Sequence, residues 1–461
     1  MDCQFLFTYL HERHNDFQMK KTIANWSNYP VMETEEKTFT FEEQLAESLL
    51  HSEGVIARGN GRCYGDASLA NHIVSTLKYD KILSFDTEKG ILECQSGLTL
   101  DKILEVIVPK GWFLPVTPGT KFITVGGAIA SDVHGKNHHV DGCFSRHVLE
   151  MDVVISSGET ITCSANVNSD LFWATCGGMG LTGIITRVKF DLKKIETSYI
   201  KQKQIKAKNL EEVIQLFEDY KHYTYSVAWI DCLKKGENFG RSILILGEHA
   251  KASELDEQKK KNPLALPKKM KINFPLNLPS FALNQFTVKA FNFLFYGKNF
   301  KKEINNIVSY EPFFYPLDAM HNWNRMYGKR GFVQYQFVLP LESKQGLVDI
   351  MKRINERNMG SFLTVLKVFG KQDDLISFPK EGYTLALDFP VRDGLFEFLD
   401  ELDKIVLEYG GRLYLSKDAR MKSEMFWTGY SNAPKFLDIV KKYNPDFKFN
   451  SIQAGRLNIT K

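Results

Sequence analysis

Three glycines fall within seven residues in "ARGNGRCYGD", Ala57 to Asp66, directly after the apolar run at Val55 and Ile56. Gly59, Gly61 and Gly65 permit positive φ and let backbone N–H groups approach an anion with no Cβ in between, which suits a pyrophosphate. Glycines gather again in "TPGTKFITVGGAIASDVHGKNHH" and in "ATCGGMGLTGII". Two common phosphate loops are excluded. A dinucleotide fingerprint needs G-x-G-x-x-G opening a helix; here the third glycine comes one residue late and "DASLANHIVSTL" has no clean helical face. No G-K-[ST] closes a P-loop. Taken alone, the first cluster also fits glycine turns of purely structural purpose.

A second set of candidates lies on strand-like stretches. Alternation in "SFLTVLKVFG" puts Lys367 on one face with Leu363, Val365 and Phe369. In "GFVQYQFVLP", Gln334 and Gln336 share a face with Phe332 and Val338, and reading "RLYLSKDAR" as a strand puts Lys417 beside Leu413 and Leu415. A buried lysine without a partner is costly, so polar groups set among apolar ones on three strands suggest a lined pocket. Each residue singly also reads as a lysine snorkelling at a strand end or a glutamine on an edge.

These residues need elements to hold them. "TFEEQLAESLLHSEG" opens on a capping box, Thr40 with Glu43, and aligns Leu45, Leu49 and Leu50; "LTLDKILEVIVPKGW" aligns Leu100, Ile103, Leu104 and Ile107 before Pro109. From "KNLEEVIQLFEDY", capped by Asn209 and Glu212, the pattern changes to helices among long strands, of which "YSVAWIDCL" and "GYTLALDFP" are two more. A helix from Asp393 carries Leu395, Phe398, Leu399, Leu402 and Val406 to Gly410. The whole indicates an α+β protein. The segment from Lys251 to Lys302 contains "KKKNPLALPKKMKINFPLNLPSFALNQF", where four prolines break any helix while basic clusters alternate with Leu and Phe. That segment reads as a floppy insertion, or as a mobile lid or membrane-surface patch.

The 461-residue length suggests two or three domains, and 43% hydrophobic with 25% charged residues marks a soluble globular class. A net charge of +4 does not indicate a nucleic-acid binder. Seven scattered cysteines with no C-x-x-C pair suit a reducing cytoplasm, with no metal site implied. "MDCQFLFTYLHERH" is not a signal peptide, and no stretch is long enough to span a membrane, so any membrane contact is peripheral, at its inner face.

Three motifs stand in order: R-G-x-G-R-x-Y-G-D, then P-G-T with V-G-G-A-I-A-S-D-V-H-G-K-N-H-H, then D-L-F-W-A-T-x-G-G-x-G-L-T-G-I-I. Together they resemble the FAD domain of vanillyl-alcohol-oxidase or p-cresol-methylhydroxylase-type (PCMH-type) flavoproteins, and within it the decaprenylphosphoryl-β-D-ribose 2'-oxidase branch, from about Asn25 onward. The resemblance implies a two-subdomain FAD-binding domain over 1–195. It also implies a substrate domain over 196–412, with a large antiparallel sheet flanked by helices and a mobile insertion at about 251–302, and a segment 413–461 returning to the FAD domain.

The same resemblance assigns Ala57, Arg58, Gly59, Asn60, Gly61, Arg62, Cys63, Tyr64, Gly65 and Asp66 to the pyrophosphate. Gly119, Thr124, Gly126, Gly127 and Ala128 would follow the isoalloxazine and ribityl chain, Ser131, Asp132, Val133 and His134 would flank the flavin with Tyr414, and Gly183, Ile184 and Ile185 would meet the adenine. Members that bind FAD covalently usually place a histidine just after R-G-x-G; Arg62 and Cys63 stand there, which implies noncovalent FAD. Trp229, Tyr315 of the pair Phe314–Tyr315, Gln334, Gln336, Lys367 and Lys417 match the substrate side.

The implied reaction takes a hydride from a sugar carbinol to the flavin, with Lys417 or His134 taking the hydroxyl proton. The implied substrate is a lipid-linked sugar phosphate, a polyprenylphosphoryl-β-D-ribose oxidised at C2'. This is the first half of an epimerisation to arabinose for cell-wall precursors, finished by an NAD(P)H-dependent keto-reductase. The family's mycobacterial members carry a cysteine where this chain has Ala386, which removes the target of thiol-directed inhibitors. One alternative is an aldonolactone oxidase of the D-arabinono-1,4-lactone type, whose usual histidine–tryptophan pair is missing from "YLSKDAR". Another is a non-catalytic flavin-binding, membrane-associated protein, against which the Gln334, Gln336, Lys367 and Lys417 set argues.

Overall fold

Alternating apolarity in the long strand-like stretches becomes the middle of one eight-stranded sheet. The computed structural model describes residues 19–50, 54–267, 272–279, 283–361 and 363–460. The amino-terminal stretch with Cys3, parts of the lysine-rich segment, Phe362 and the Leu50 side chain lie outside the described residues. The sheet is antiparallel throughout, in the order Glu303–Ser309, Tyr199–Ala207, Ser242–His249, Tyr225–Ile230, Thr364–Phe369, Gly382–Pro390, Phe332–Pro340 and Arg412–Leu413.

Period two gives each strand two destinations. Val333, Tyr335, Phe337 and Leu339 enter a core with Leu385, Leu387 and Phe389, covered by helices Leu210–Asp219, Lys344–Glu356 and Leu395–Glu408. The opposite face carries Gln334, Gln336, Val365, Lys367 and Ala386 to a cavity.

Across that cavity lie two smaller sheets. One is mixed, in the order Met19–Ala24, Val31–Thr38, His72–Ser75, Val55–Arg58, and the other is antiparallel, in the order Ile82–Asp86, Ile91–Gln95, Ile184–Asp191, Val148–Val154, Thr160–Cys163. The fold class is therefore α+β. The helix Leu100–Ile107 buries the four residues its period aligned, and Pro109 sits in the 3₁₀ turn that ends it. The helix Glu42–Leu50 is capped differently from expectation, because the Gln44 side-chain Oε1, not Glu43, accepts the Thr40 N–H at 3.0 Å. Near the carboxyl end the chain runs back along the first glycine loop: Val55 N donates to Lys448 O at 2.8 Å and Asn450 N to Val55 O at 2.9 Å.

One expectation needs correction. "RLYLSKDAR" is a strand only over Arg412–Leu413; Leu415–Lys417 is a 3₁₀ turn, because Tyr64 N takes the Ser416 carbonyl at 2.9 Å and draws the chain off the sheet edge. Past the last of the four prolines, Pro279, the chain is free to form the helix Gln285–Gly297, with Asn284 accepting from Phe286 N and Thr287 N. No helix of the described residues is long and apolar enough to cross a membrane.

Candidate active site

The glycine loops and the polar face of the large sheet enclose one cavity of roughly 830 Å³, near the top of the range of about 300–1,000 Å³ for small-molecule sites. One side is built from main chain. Ala57, Gly59, Asn60, Gly61, Arg62, Cys63 and Tyr64 line it with Gly119, Thr124, Gly126, Gly127, Ser131, Val133, His134, Gly183, Ile185 and Tyr414. The facing side has Trp229, Gln334, Gln336, Lys367 and Lys417.

The glycines act mainly through close approach. Of the three in the first loop only Gly61 has a positive φ, 57°. A Cβ on Gly59 would overlap the Thr124 hydroxyl, and one on Gly65 would overlap the Asp418 carbonyl oxygen.

Several expected contacts stand behind the wall instead of on it. Arg58 turns back to donate to Ala24 O at 2.9 Å. Gly65 packs on Asp418, and Asp66 pairs with Arg456 at 2.8 Å, which also reaches Asp418 at 2.7 Å. Ala128 and Ile184 belong to apolar clusters, with Ile129 and Val55 respectively. Asp132 accepts from the Ser377 hydroxyl at 2.5 Å and from Gln372 at 3.1 Å. Tyr315 is also displaced: its hydroxyl lies 2.7 Å from Thr117 Oγ1 in the core, and its neighbour Phe314 forms the wall. All of these brace the loops, because a main-chain cradle needs a packed layer beneath it.

Other wall residues had weaker sequence signals. Lys136 lies inside the second motif, yet only the fold aims it inward, where its ammonium donates to Phe314 O at 3.2 Å. Behind the wall, Asp388, two residues past Ala386 on the same strand face, accepts from Gln334 Nε2 at 2.6 Å and from the Tyr327 hydroxyl at 3.1 Å. Alternation marked it in principle. Ser96, from none of the three motifs, lines the cavity, and its buried hydroxyl is unpartnered among the described residues. The helix Gln285–Gly297 adds Thr287, Val288, Phe291 and Phe295.

Electrostatics separate the two proton-acceptor candidates. Burial, with Lys367, His138 and Lys417 nearby, holds the His134 imidazole well below its usual range. Thr384 Oγ1 donates to Phe337 O at 2.8 Å, so it accepts from Gln336 Nε2 at 3.2 Å and fixes that amide. The same Nε2 lies 3.3 Å from His134 Nε2, which must then accept and leave its proton on Nδ1. Lys417 is different: burial brings its ammonium down to about 7, with Asp388 opposing and Lys367 reinforcing the shift. Burial also lowers Lys136 to about 7 and Lys367 to about 8, and raises Asp388 to about 7.

Comparison with known proteins agrees with this arrangement. Residues 43–164 match the FAD binding domain family. The chain is similar, at 38% identity over 88% of its length and 89% of the relative, to decaprenylphosphoryl-β-D-ribose oxidase of Mycolicibacterium smegmatis. The chain belongs to the decaprenylphosphoryl-β-D-ribose oxidase family. A Streptomyces coelicolor protein from the mprA 5' region is similar at 29% identity over 78% of this chain and its own full length. D-lactate dehydrogenase of Anaerostipes hadrus shares 32% over 31% of each chain.

As a member of this oxidase family the chain is an FAD-dependent oxidoreductase. The cavity fits that cofactor on its own observations. Gly119 presents open space where a Cβ would stand, a Cβ on Gly126 would crowd Ser96, and Ser96 itself lines the same space with a buried hydroxyl unpartnered among the described residues. Loops without side chains bring N–H groups to a diphosphate, while Tyr414, fixed by donating to Ser131 O at 2.8 Å, closes the wall.

Proposed function

We propose that the protein oxidises the C2' hydroxyl of a polyprenylphosphoryl-β-D-ribose to the 2'-keto sugar. The single observation that carries this reading is the convergence of Lys136, Lys367 and Lys417 on one cavity whose neighbouring wall is Trp229, Phe291, Phe295 and Phe314. Three crowded ammoniums favour an anionic guest, and the aromatic wall favours an apolar tail beside it. The M. smegmatis relative, named for such a substrate, supports the same choice.

FAD bound along the glycine loops supplies the two-electron acceptor. The chain's own residues do the rest. Lys136 and Lys367 hold the phosphate, which offsets their mutual repulsion. Lys417, with its ammonium near 7, is partly neutral at neutral pH and accepts the hydroxyl proton. His134 stays neutral, its Nε2 occupied by Gln336, and orients the sugar without titrating.

The flavin is held noncovalently. In support, burial raises the Cys63 thiol, which lies 3.3 Å from Ser68 Oγ, so a reactive thiolate is disfavoured. The unpaired described cysteines support a reducing cytoplasmic setting. A keto sugar on a lipid carrier must be reduced to complete an epimerisation, so an NAD(P)H-dependent reductase is the expected partner.

The test is anaerobic mixing of holoenzyme with a short-chain prenylphosphoryl-β-D-ribose and, separately, with an aldonolactone. Bleaching of the flavin by the former alone supports the proposal. Bleaching by the lactone would move the substrate class, and bleaching by neither would remove the catalytic reading.

A further inference from the structure

The helix Gln285–Gly297 has two apolar faces where a surface helix needs one. Its inner face is accounted for: Val288 and Asn292 are buried, Asn292 Nδ2 donates to Asp231 Oδ1 at 2.8 Å, and Phe295 packs 4.8 Å from the Trp229 ring on the cavity wall. Its outer face carries Phe286, Phe293 and Leu294, which are 80%, 65% and 68% exposed, and Phe300 just beyond is 95% exposed. Positions 286, 289, 290, 293 and 297 follow i, i+3, i+4, i+7 and i+11 spacing, so Phe286, Lys289 and Phe293 form one outward stripe. Nothing in the packing of the described residues covers that stripe.

Two further observations say what covers it. Between Lys251 and Lys302 there are eleven lysines against Glu254, Asp256 and Glu257, whereas the whole chain carries only +4. The rest of the sequence is thus net acidic, and the excess positive charge falls in the same stretch of sequence as the exposed aromatics. The same helix also lines the cavity with Thr287, Val288, Phe291 and Phe295. Met320 and His321 line the same cavity, and the strand Ile272–Asn273 paired with them is also apolar outside: Ile272 and, just beyond, Leu276 are 57% and 73% exposed.

We infer that the outer face of Gln285–Gly297, with Phe300, docks on an anionic lipid bilayer and sets the cavity mouth at the membrane surface. Phe and Leu enter the headgroup boundary while Lys289, Lys301 and their neighbours meet lipid phosphates. A prenyl tail then passes from bilayer to cavity along the inner face of one helix, without crossing water. The inference takes the lipid-phosphate reading of the cavity as given, but its test does not need a substrate.

Holoenzyme is floated with vesicles of phosphatidylcholine, with and without phosphatidylglycerol. The expected result is binding to the anionic vesicles that weakens as salt rises. Phe286→Ser with Phe293→Ser and Leu294→Ser should lower that binding about tenfold or more. Flavin absorbance, melting temperature and turnover of a water-soluble short-chain substrate should stay unchanged. Lys289→Glu with Lys301→Glu should weaken binding to the anionic vesicles only.

Failure of the wild-type holoenzyme to float with anionic vesicles overturns the proposal, as does a triple variant that floats equally well. So does a wild type that self-associates through this face, with the variant monomeric and vesicles unbound by either. Vesicle binding without flavin reduction by any lipid-linked sugar would sink the substrate reading and leave the docking face standing.

Discussion

The Lys417 ammonium stands 3.6 Å from the centroid of the Tyr64 ring, so a residue of the carboxyl-terminal turn is seated on a side chain of the first glycine loop. The contact is a π face and not a carboxylate. It steadies the charged form only modestly, and burial still brings the group near neutrality. That placement suits Lys417 to the proposed role of proton acceptor at physiological pH.

Replacing Lys417 by Met should leave FAD bound and lower the rate of flavin reduction by about 10²- to 10⁴-fold, the usual worth of a positioned general base. Stopped-flow absorbance with the short-chain substrate measures it. A rate within a few-fold of wild type would assign the proton elsewhere.

The pH profile has a defined sign. A base must be deprotonated, so kcat/KM should rise with pH through an acid limb at about 7. The Asp388 carboxylate raises the Lys417 value. Asp388→Asn should therefore move the limb to lower pH, and an unmoved or rising limb would contradict the coupling.

Stability should also follow pH. Lys136, Lys367 and Lys417 titrate at about 7, 8 and 7 when folded against 10.5 ordinarily, so above pH 7 the unfolded chain holds protons that the folded one has released. Stability of substrate-free holoenzyme should then increase from pH 7 toward 9. Asp388, at about 7, contributes its change below that window. Thermal unfolding across the window checks the slope, which Lys136→Met with Lys367→Met should flatten.

Tyr315→Phe removes the hydroxyl 2.7 Å from Thr117 Oγ1 and leaves a buried partner unmatched, at a cost of about 1–3 kcal/mol. Because Tyr315 does not reach the cavity, kcat and KM should be unchanged once the protein is folded. A raised KM in steady-state assays would return it to the substrate side.

Acid precipitation of the holoenzyme should release all of its FAD into the supernatant, and Cys63→Ser should keep its yellow colour. Flavin that stays with the wild-type pellet and is freed in the variant would establish a thioether.

Much of the arrangement was legible along the chain. Alternation sorted Gln334, Gln336, Val365 and Lys367 from Val333, Tyr335 and Leu366 correctly, because a strand face is fixed by parity alone. It failed at Lys417, where parity was applied to a 3₁₀ turn, and it left Asp388 unremarked. The glycine clusters located the main-chain side of the cavity, with positive φ needed only at Gly61 in the first loop and close approach needed at Gly59 and Gly65.

Composition and spacing alone thus determined an α+β chain with a glycine-built cradle and a sheet carrying polar groups among apolar ones, since both properties are local in sequence. The tertiary structure decided which groups meet. Gly65 lies under Asp418, Asp66 pairs with Arg456, and His134 faces Gln336, contacts between segments hundreds of residues apart. Those contacts, and the shared desolvation that shifts Lys136, Lys367, Lys417 and Asp388 together, arise only when separate elements close on one space; no local pattern encodes the distance between them.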